Sequence, residues 1–175
     1  ILGDYRTIMK YRVLVEGPAL TQSGYGEHTR VVLRALRERE DVLEIFLDPL
    51  NWGATSWILG DSEEKKWLSE KIRNLNTINE GLKNGEPPPE FEIQIRVGIP
   101  NEFERKAQYA VCVTAGIETT QVSPKWINKS YTIDKIIVPS EFSKWVFENT
   151  KHMMKDCTDC PDHADNQALK GCGCP

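Results

Sequence analysis

The sequence predicts an α/β fold: a mostly parallel sheet between two layers of helices. Three observations predict it. Residues 11–40, YRVLVEGPALTQSGYGEHTRVVLRALRERE, run from an apolar, β-branched stretch through a glycine-bearing turn into a helical pattern. Strand and helix patterns then alternate about five times along the chain. No Asn-Gly or similar hairpin signal joins one strand to the next, so the connections read as right-handed crossovers.

Residues 11–16 are the founding strand, and a helix is expected from Glu27, with Val32, Leu33 and Leu36 at helical spacing. Between them Gly17, Ser23, Gly24 and Gly26 make a turn. A helix N-terminus carries roughly half a positive charge and free N–H groups, and glycines let the backbone approach an anion closely. Residues 41–48 form the second strand, ended by Pro49, and residues 51–57 a loop with Trp52 and Trp57. From Ser62, an N-cap followed by acids, Trp67, Leu68, Ile72, Leu75 and Ile78 mark one face of a long outer helix that Gly81 and Gly85 close. After a stiff Glu86-Pro-Pro-Pro connector, residues 91–97 (FEIQIRV) alternate cleanly, which predicts a strand near a sheet edge. Residues 109–114 (YAVCVT) are apolar throughout and read as a strand buried on both faces. Ser123 and Pro124 start a further helix, residues 134–138 make a short fifth strand, and Ser140 caps a last helix with Phe142, Trp145 and Val146 inward. The whole reads as a three-layer Rossmann-like domain over residues 1–150. Its ligand-bearing loops fall at 17–26, 48–57, 98–103, 114–120 and 139–141, beyond the carboxyl ends of the strands.

Composition narrows the function classes. The 175 residues are 39% hydrophobic and 27% charged, as in a globular domain. A net charge of −4 argues against a general nucleic-acid binder. No apolar run approaches the ~20 residues of a membrane span, and no signal-peptide core opens the chain, so the expected compartment is the cytoplasm. Cys112 sits in an apolar run and reads as a small core residue. Cys157, Cys160, Cys172 and Cys174 crowd the tail, residues 151–175, with His152 and His163 nearby. Four thiolates in that spacing either hold zinc or remain reduced in a flexible linker.

The motifs leave alternatives open. As a dinucleotide fingerprint, Gly24-Tyr-Gly26-Glu-His-Thr29 lacks the third glycine and lies too far beyond Gly17, although Asp48 imitates the ribose-binding acid. Either the glycines accept a phosphate or they only permit a tight helix start. His28, in the first turn of the expected helix, either meets that phosphate or is solvated. Glu118, beside Thr114 and Gly116, binds a sugar hydroxyl, acts in acid/base chemistry or caps a helix. Trp52 and Trp57 either stack on a sugar ring or join the core.

Several blocks taken together carry a resemblance: Arg96-Val-Gly-Ile-Pro-Asn-Glu-Phe103, Val113-Thr-Ala-Gly-Ile-Glu-Thr119, Ser123-Pro-Lys-Trp126 and Ile136-Ile-Val-Pro-Ser-Glu-Phe142. Over residues 10–150 they resemble, in order, the amino-terminal half of GT-B glycosyltransferases, in particular the retaining family that uses nucleotide-sugar donors. Ser23-Gly-Tyr-Gly26 stands where that family places its glycine loop.

The resemblance implies a two-domain enzyme whose amino-terminal half holds the acceptor. Ser23, Gly24, Tyr25 and Gly26 would approach the donor diphosphate, while Thr114, Gly116, Glu118 and Ser140 would line the cleft floor. It implies a nucleotide sugar as donor substrate, a carbohydrate, protein or lipid acceptor, and no required metal or other cofactor. The paired donor-binding glutamates of that family are absent, so a carboxyl-terminal domain is expected beyond the tail, and this piece alone is expected to be inactive. The alternative is a nucleotide- or dinucleotide-binding domain of an oxidoreductase.

Overall fold

The structure, a computed structural model, describes residues 9–52 and 62–151. The sheet grows outward from β1 (Tyr11–Gly17), whose inner residues are buried on both faces. β2 (Leu43–Pro49) lies on one side of it and β3 (Ile93–Val97) on the other, followed by β4 (Tyr109–Val113) and β5 (Lys135–Ile137). Among the described residues the order is β2-β1-β3-β4-β5, with every neighbour parallel. Within the described residues four α-helices connect and cover the strands: α1 (Gly24–Arg37), α2 (Glu63–Lys83), α3 (Pro124–Ser130) and α4 (Glu141–Asn149). The expected Rossmann-like α/β fold is therefore present.

Register decides what each face carries. Val13 pairs with Ile45 and Ile93, and Val15 with Leu47 and Ile95. Paired residues share a face, so these six make an apolar layer. Leu33 of α1 and Trp67 and Leu68 of α2 close over it. Fully burying each such side chain stabilises by about 1.5–3 kcal/mol. On the other face Leu14, Phe46 and Phe91 meet Leu75 and Ile78 of α2. Farther along, that face packs Phe103, Ala110, Cys112 and Ile133 together. Cys112 is the core residue its setting predicts, and burial pushes its thiol up to about 12.

Four expectations need correction. β3 is the middle strand, not one near an edge, because its alternating polar residues Gln94 and Arg96 are buried against other side chains rather than wetted. α1 starts at Gly24, not Glu27, since Ser23 caps it by accepting from the Gly26 amide at 3.0 Å. In α4 only Val146 of the expected trio is inward. Phe142 and Trp145 are each 48% exposed and stack on one another, while Ser143 takes the inward place and donates to or accepts from Ser140. Gly81 lies inside α2, and the turn is made at Gly85, whose φ of +90° a glycine adopts without strain. Trp57 and the four tail cysteines, with the zinc reading they support, lie outside the described residues. No helix among those residues is long and apolar enough to cross a membrane.

An ion pair fixes α2 to the end of α1. Glu40 accepts from Lys71 Nζ at 2.5 Å and from Trp67 Nε1 at 3.1 Å. Desolvation acts to raise the Glu40 pKa, but the bonds from Lys71 and Trp67 outweigh it and hold the carboxyl below its ordinary value of 4.5. A depressed carboxyl contributes stability above its unfolded value and loses it as pH falls through the folded one. Melting temperature is therefore expected to drop on acidification below about pH 4.5, and Glu40→Gln to flatten that decline. An equally steep acid limb in the variant would contradict this assignment.

Candidate functional site

The carboxyl ends of the five strands share one edge of the sheet, and the bend after β1 is built rigidly there. Thr21 Oγ1 donates to the Pro18 carbonyl at 2.9 Å and lies 2.8 Å from Ser23 Oγ. Arg30, only 3% exposed, reaches from α1 to the carbonyls of Ala19 and Thr21 at 2.8 and 3.0 Å. Glu27 accepts from Arg30 and Arg34, and Arg34 continues to Glu64 of α2. Hydrogen bonds from Arg34 and then Arg30 hold the Glu27 carboxyl below its ordinary range.

The three glycines of this region do different work. A Cβ on Gly17 would strike Thr29 Oγ1 at 2.6 Å, so its absence lets β1 and α1 approach. A Cβ on Gly26 would run into the Thr21 carbonyl, with Thr21 Oγ1 at 2.8 Å and the Pro18 carbonyl at 3.0 Å. Gly24 faces open space, with nothing within 4 Å. It is the first residue of α1, where an amide has no intrahelical partner. Of the sequence-predicted residues, Ser23 and Gly24 are exposed and Tyr25 is partly so, while Gly26 is buried as a packing residue. His28 moves one turn into the helix by the earlier start, away from the free amides, and is partly exposed.

Tyr25 joins this bend to the tip of β4. Its hydroxyl lies 3.3 Å from Thr114 Oγ1 and accepts from the Ala115 amide at 3.2 Å. Thr114 is fully buried, with its hydroxyl against that of Tyr25. Gly116 and Glu118 are exposed in the following loop, which Ser143 ties to α4 by accepting from the Ile117 amide at 3.3 Å. Ser140 is spent as the cap of α4, accepting from Ser143 N at 3.1 Å. It also lines an open groove of about 880 Å³ between α3, β5 and α4, which follows the β5 edge and not the bend.

Sequence reasoning missed a charged layer at the centre of the sheet. Register places Glu16 beside both Asp48 and Arg96. Glu16 is wholly buried. It accepts from Lys106 Nζ at 2.6 Å and from Gln94 Nε2, and Arg96 Nη1 lies 3.7 Å away. Gln94 also accepts from the Lys106 amide at 2.8 Å and donates to the Glu104 carbonyl at the same distance. Lys106 Nζ is 3.9 Å from Asp48, and Arg96 Nη2 is 3.5 Å from Glu102. The available signal was that β1 and β2 each carry an acid, Glu16 and Asp48, one residue before their ends while the third strand carries an arginine. The layer sits where the chain, having placed β2 on one side of β1, crosses to place β3 on the other. Ligands of doubly wound sheets bind at such a switch point.

Comparisons with family models, curated proteins and solved structures return no match for this chain. The site is therefore read from its own chemistry: a helix N-terminus braced by hydrogen bonds and carrying an open glycine, next to a buried mixed-charge cluster. Gly26→Ala is expected to destabilise by about 1–3 kcal/mol through overpacking, while Gly24→Ala changes stability by less than about 1 kcal/mol. Urea titration of both variants checks this, and equal effects would contradict the division of labour.

Proposed function

We propose that this chain is the amino-terminal, acceptor-side half of a glycosyltransferase that moves a sugar from a nucleotide-sugar donor to an acceptor hydroxyl. The observation that carries the proposal is the placement of the bend at residues 23–26. It lies at the strand tips with Gly24 open to solvent, and Tyr25 reaches across to β4. In this reading the free amides at the start of α1 meet the donor diphosphate and stabilise its charge as it leaves, with no metal required. In this reading Gly116 and Glu118, both exposed, line the acceptor side, in the loop that Tyr25 of the bend meets at the Ala115 amide. The donor is held largely by a carboxyl-terminal domain, and transfer belongs to the polypeptide that contains both. Clustered rather than scattered cysteines favour the cytoplasm as its compartment.

The dinucleotide alternative has less support. Its usual sheet places the third strand beside the second, whereas here the third strand lies on the far side of the first. Asp48, which would have to bind a ribose, already faces Lys106 at 3.9 Å.

The test uses the chain extended by its downstream coding sequence, assayed for acceptor-dependent release of nucleoside diphosphate from UDP-glucose, GDP-mannose and ADP-glucose. Gly24→Val is expected to lower kcat/KM by about 100-fold or more, because the side chain blocks backbone approach to a phosphate while meeting nothing in the protein itself. Near-parent turnover in that variant would remove the bend from the mechanism. NADH binding without nucleotide-sugar turnover would favour the alternative.

A further inference from the structure

The sequence holds one Asn-Gly pair, Asn84-Gly85, and it closes a helix rather than a hairpin. α2 ends there in a Schellman cap. The Gly85 amide donates to the Leu82 carbonyl at 3.1 Å, and the Glu86 amide to the Gly81 carbonyl at 3.0 Å. Asn84 is the C-cap residue, and Gly85 takes the left-handed φ of +90°.

The surroundings of the pair leave it open to chemistry. Residues 82–88 are all exposed, so water and hydroxide reach both residues. The Asn84 side-chain amide has no hydrogen-bond partner among the described residues. Gly85 has nothing within 4 Å of where a Cβ would stand, so no side chain shields its nitrogen. What restrains that nitrogen is its bond to Leu82. Opening the last turn of α2 uncovers no core and breaks only exposed backbone hydrogen bonds, which places it at the low end of local stability.

We propose that Asn84 is a site of spontaneous covalent modification, an intramolecular cyclisation gated by fraying of the last turn of α2. Once Gly85 N leaves the Leu82 carbonyl, it loses its proton to hydroxide and attacks Asn84 Cγ. The N–Cγ bond forms, the Cγ–Nδ2 bond breaks, and Nδ2 leaves as ammonia after taking a proton from water. A water molecule then opens the five-membered imide at either carbonyl, giving aspartate or β-linked isoaspartate. No oxidant or reductant takes part.

Both products put a carboxylate on the carbonyl end of α2, where the helix dipole disfavours negative charge. The Glu86 side chain folds against Gly81 in the same turn, and Lys83 is the basic residue there. The β-linked product also lengthens the backbone by one methylene, which pulls the Gly85 and Glu86 amides out of register with Leu82 and Gly81. The Glu86-Pro-Pro-Pro connector that carries the chain to β3 starts at that point.

The test incubates the 175-residue chain at mildly alkaline pH and body temperature and maps its peptides by mass spectrometry at intervals. The Asn84 peptide is expected to gain one mass unit before any other asparagine peptide. It is also expected to split into two chromatographic products, one of which accepts a methyl group from S-adenosylmethionine through an isoaspartyl methyltransferase. Asn84→Gln and Gly85→Ala are each expected to remove that early gain. The chain held unfolded in urea is expected to react about tenfold faster, because the cap no longer occupies the Gly85 amide. Asn84→Asp, which supplies the charge alone, is expected to lower the melting temperature by about 1–4 °C. An Asn84 peptide that stays unchanged while other asparagines react would overturn the site. Equal rates in the folded and unfolded chain would overturn the gating, and an unchanged melting temperature in Asn84→Asp the electrostatic consequence.

Discussion

A carboxylate with no access to water lies in the middle of this sheet, and the strand tips are arranged around its neutralisation. Glu16 ends the apolar run of β1, where desolvating a lone charge would cost several kcal/mol. Lys106 supplies a direct charge-assisted bond, Gln94 a second donor, and Arg96 a cation close by. Each partner brings a segment with it. Lys106 anchors the stretch that follows the short 3-10 turn Pro100–Glu102, and Gln94 holds the same stretch through its backbone at Glu104 and Lys106. The arrangement of the β1 and β3 tips thus follows from the need to pair one buried charge.

The bend after β1 is rigid for an independent reason. Its carbonyls at Ala19 and Thr21 are used by Arg30, its Ser23 hydroxyl by Gly26, and its inner glycines by close packing. Of the glycines in and around the bend, Gly17 and Gly26 are closely packed and Gly24 faces open space. A helix N-terminus held this way pays little reorganisation on meeting an anion, which is what electrostatic catalysis needs of it. Tyr25 of the bend meets Trp52 edge to face, with ring centroids 5.0 Å apart.

How much of this could be read from residues alone follows from the kind of signal each feature sends. Strands such as YAVCV and helix starts such as Ser62, Ser123 and Ser140 announce themselves locally, and the structure places them as read. The position of FEIQIRV did not follow, since polar alternation looks the same whether the polar side meets water or a buried charge. Only the register of Glu16 with Arg96 separates the two cases, and register is a tertiary fact. The α4 face failed for a related reason: Ser143 and Val146 share the same three-residue spacing as Phe142 and Trp145, and hydrogen bonds to Ser140 and Ile117 decided between them. Of the candidate site, the bend was legible as a glycine loop, but the separate duties of Gly24 and Gly26 were not. The burial of Thr114 beside the Tyr25 hydroxyl was not legible either, since it depends on how α1 lies against the tip of β4.

The measurement that goes to the centre of this account is a double-mutant cycle between Glu16 and Lys106, with Glu16→Gln, Lys106→Met and the pair compared by urea unfolding. If the buried carboxylate organises the strand tips, the coupling energy is about 1–3 kcal/mol, and Glu16 without its lysine is less stable than the doubly neutral chain. Additive effects of the two substitutions would contradict it.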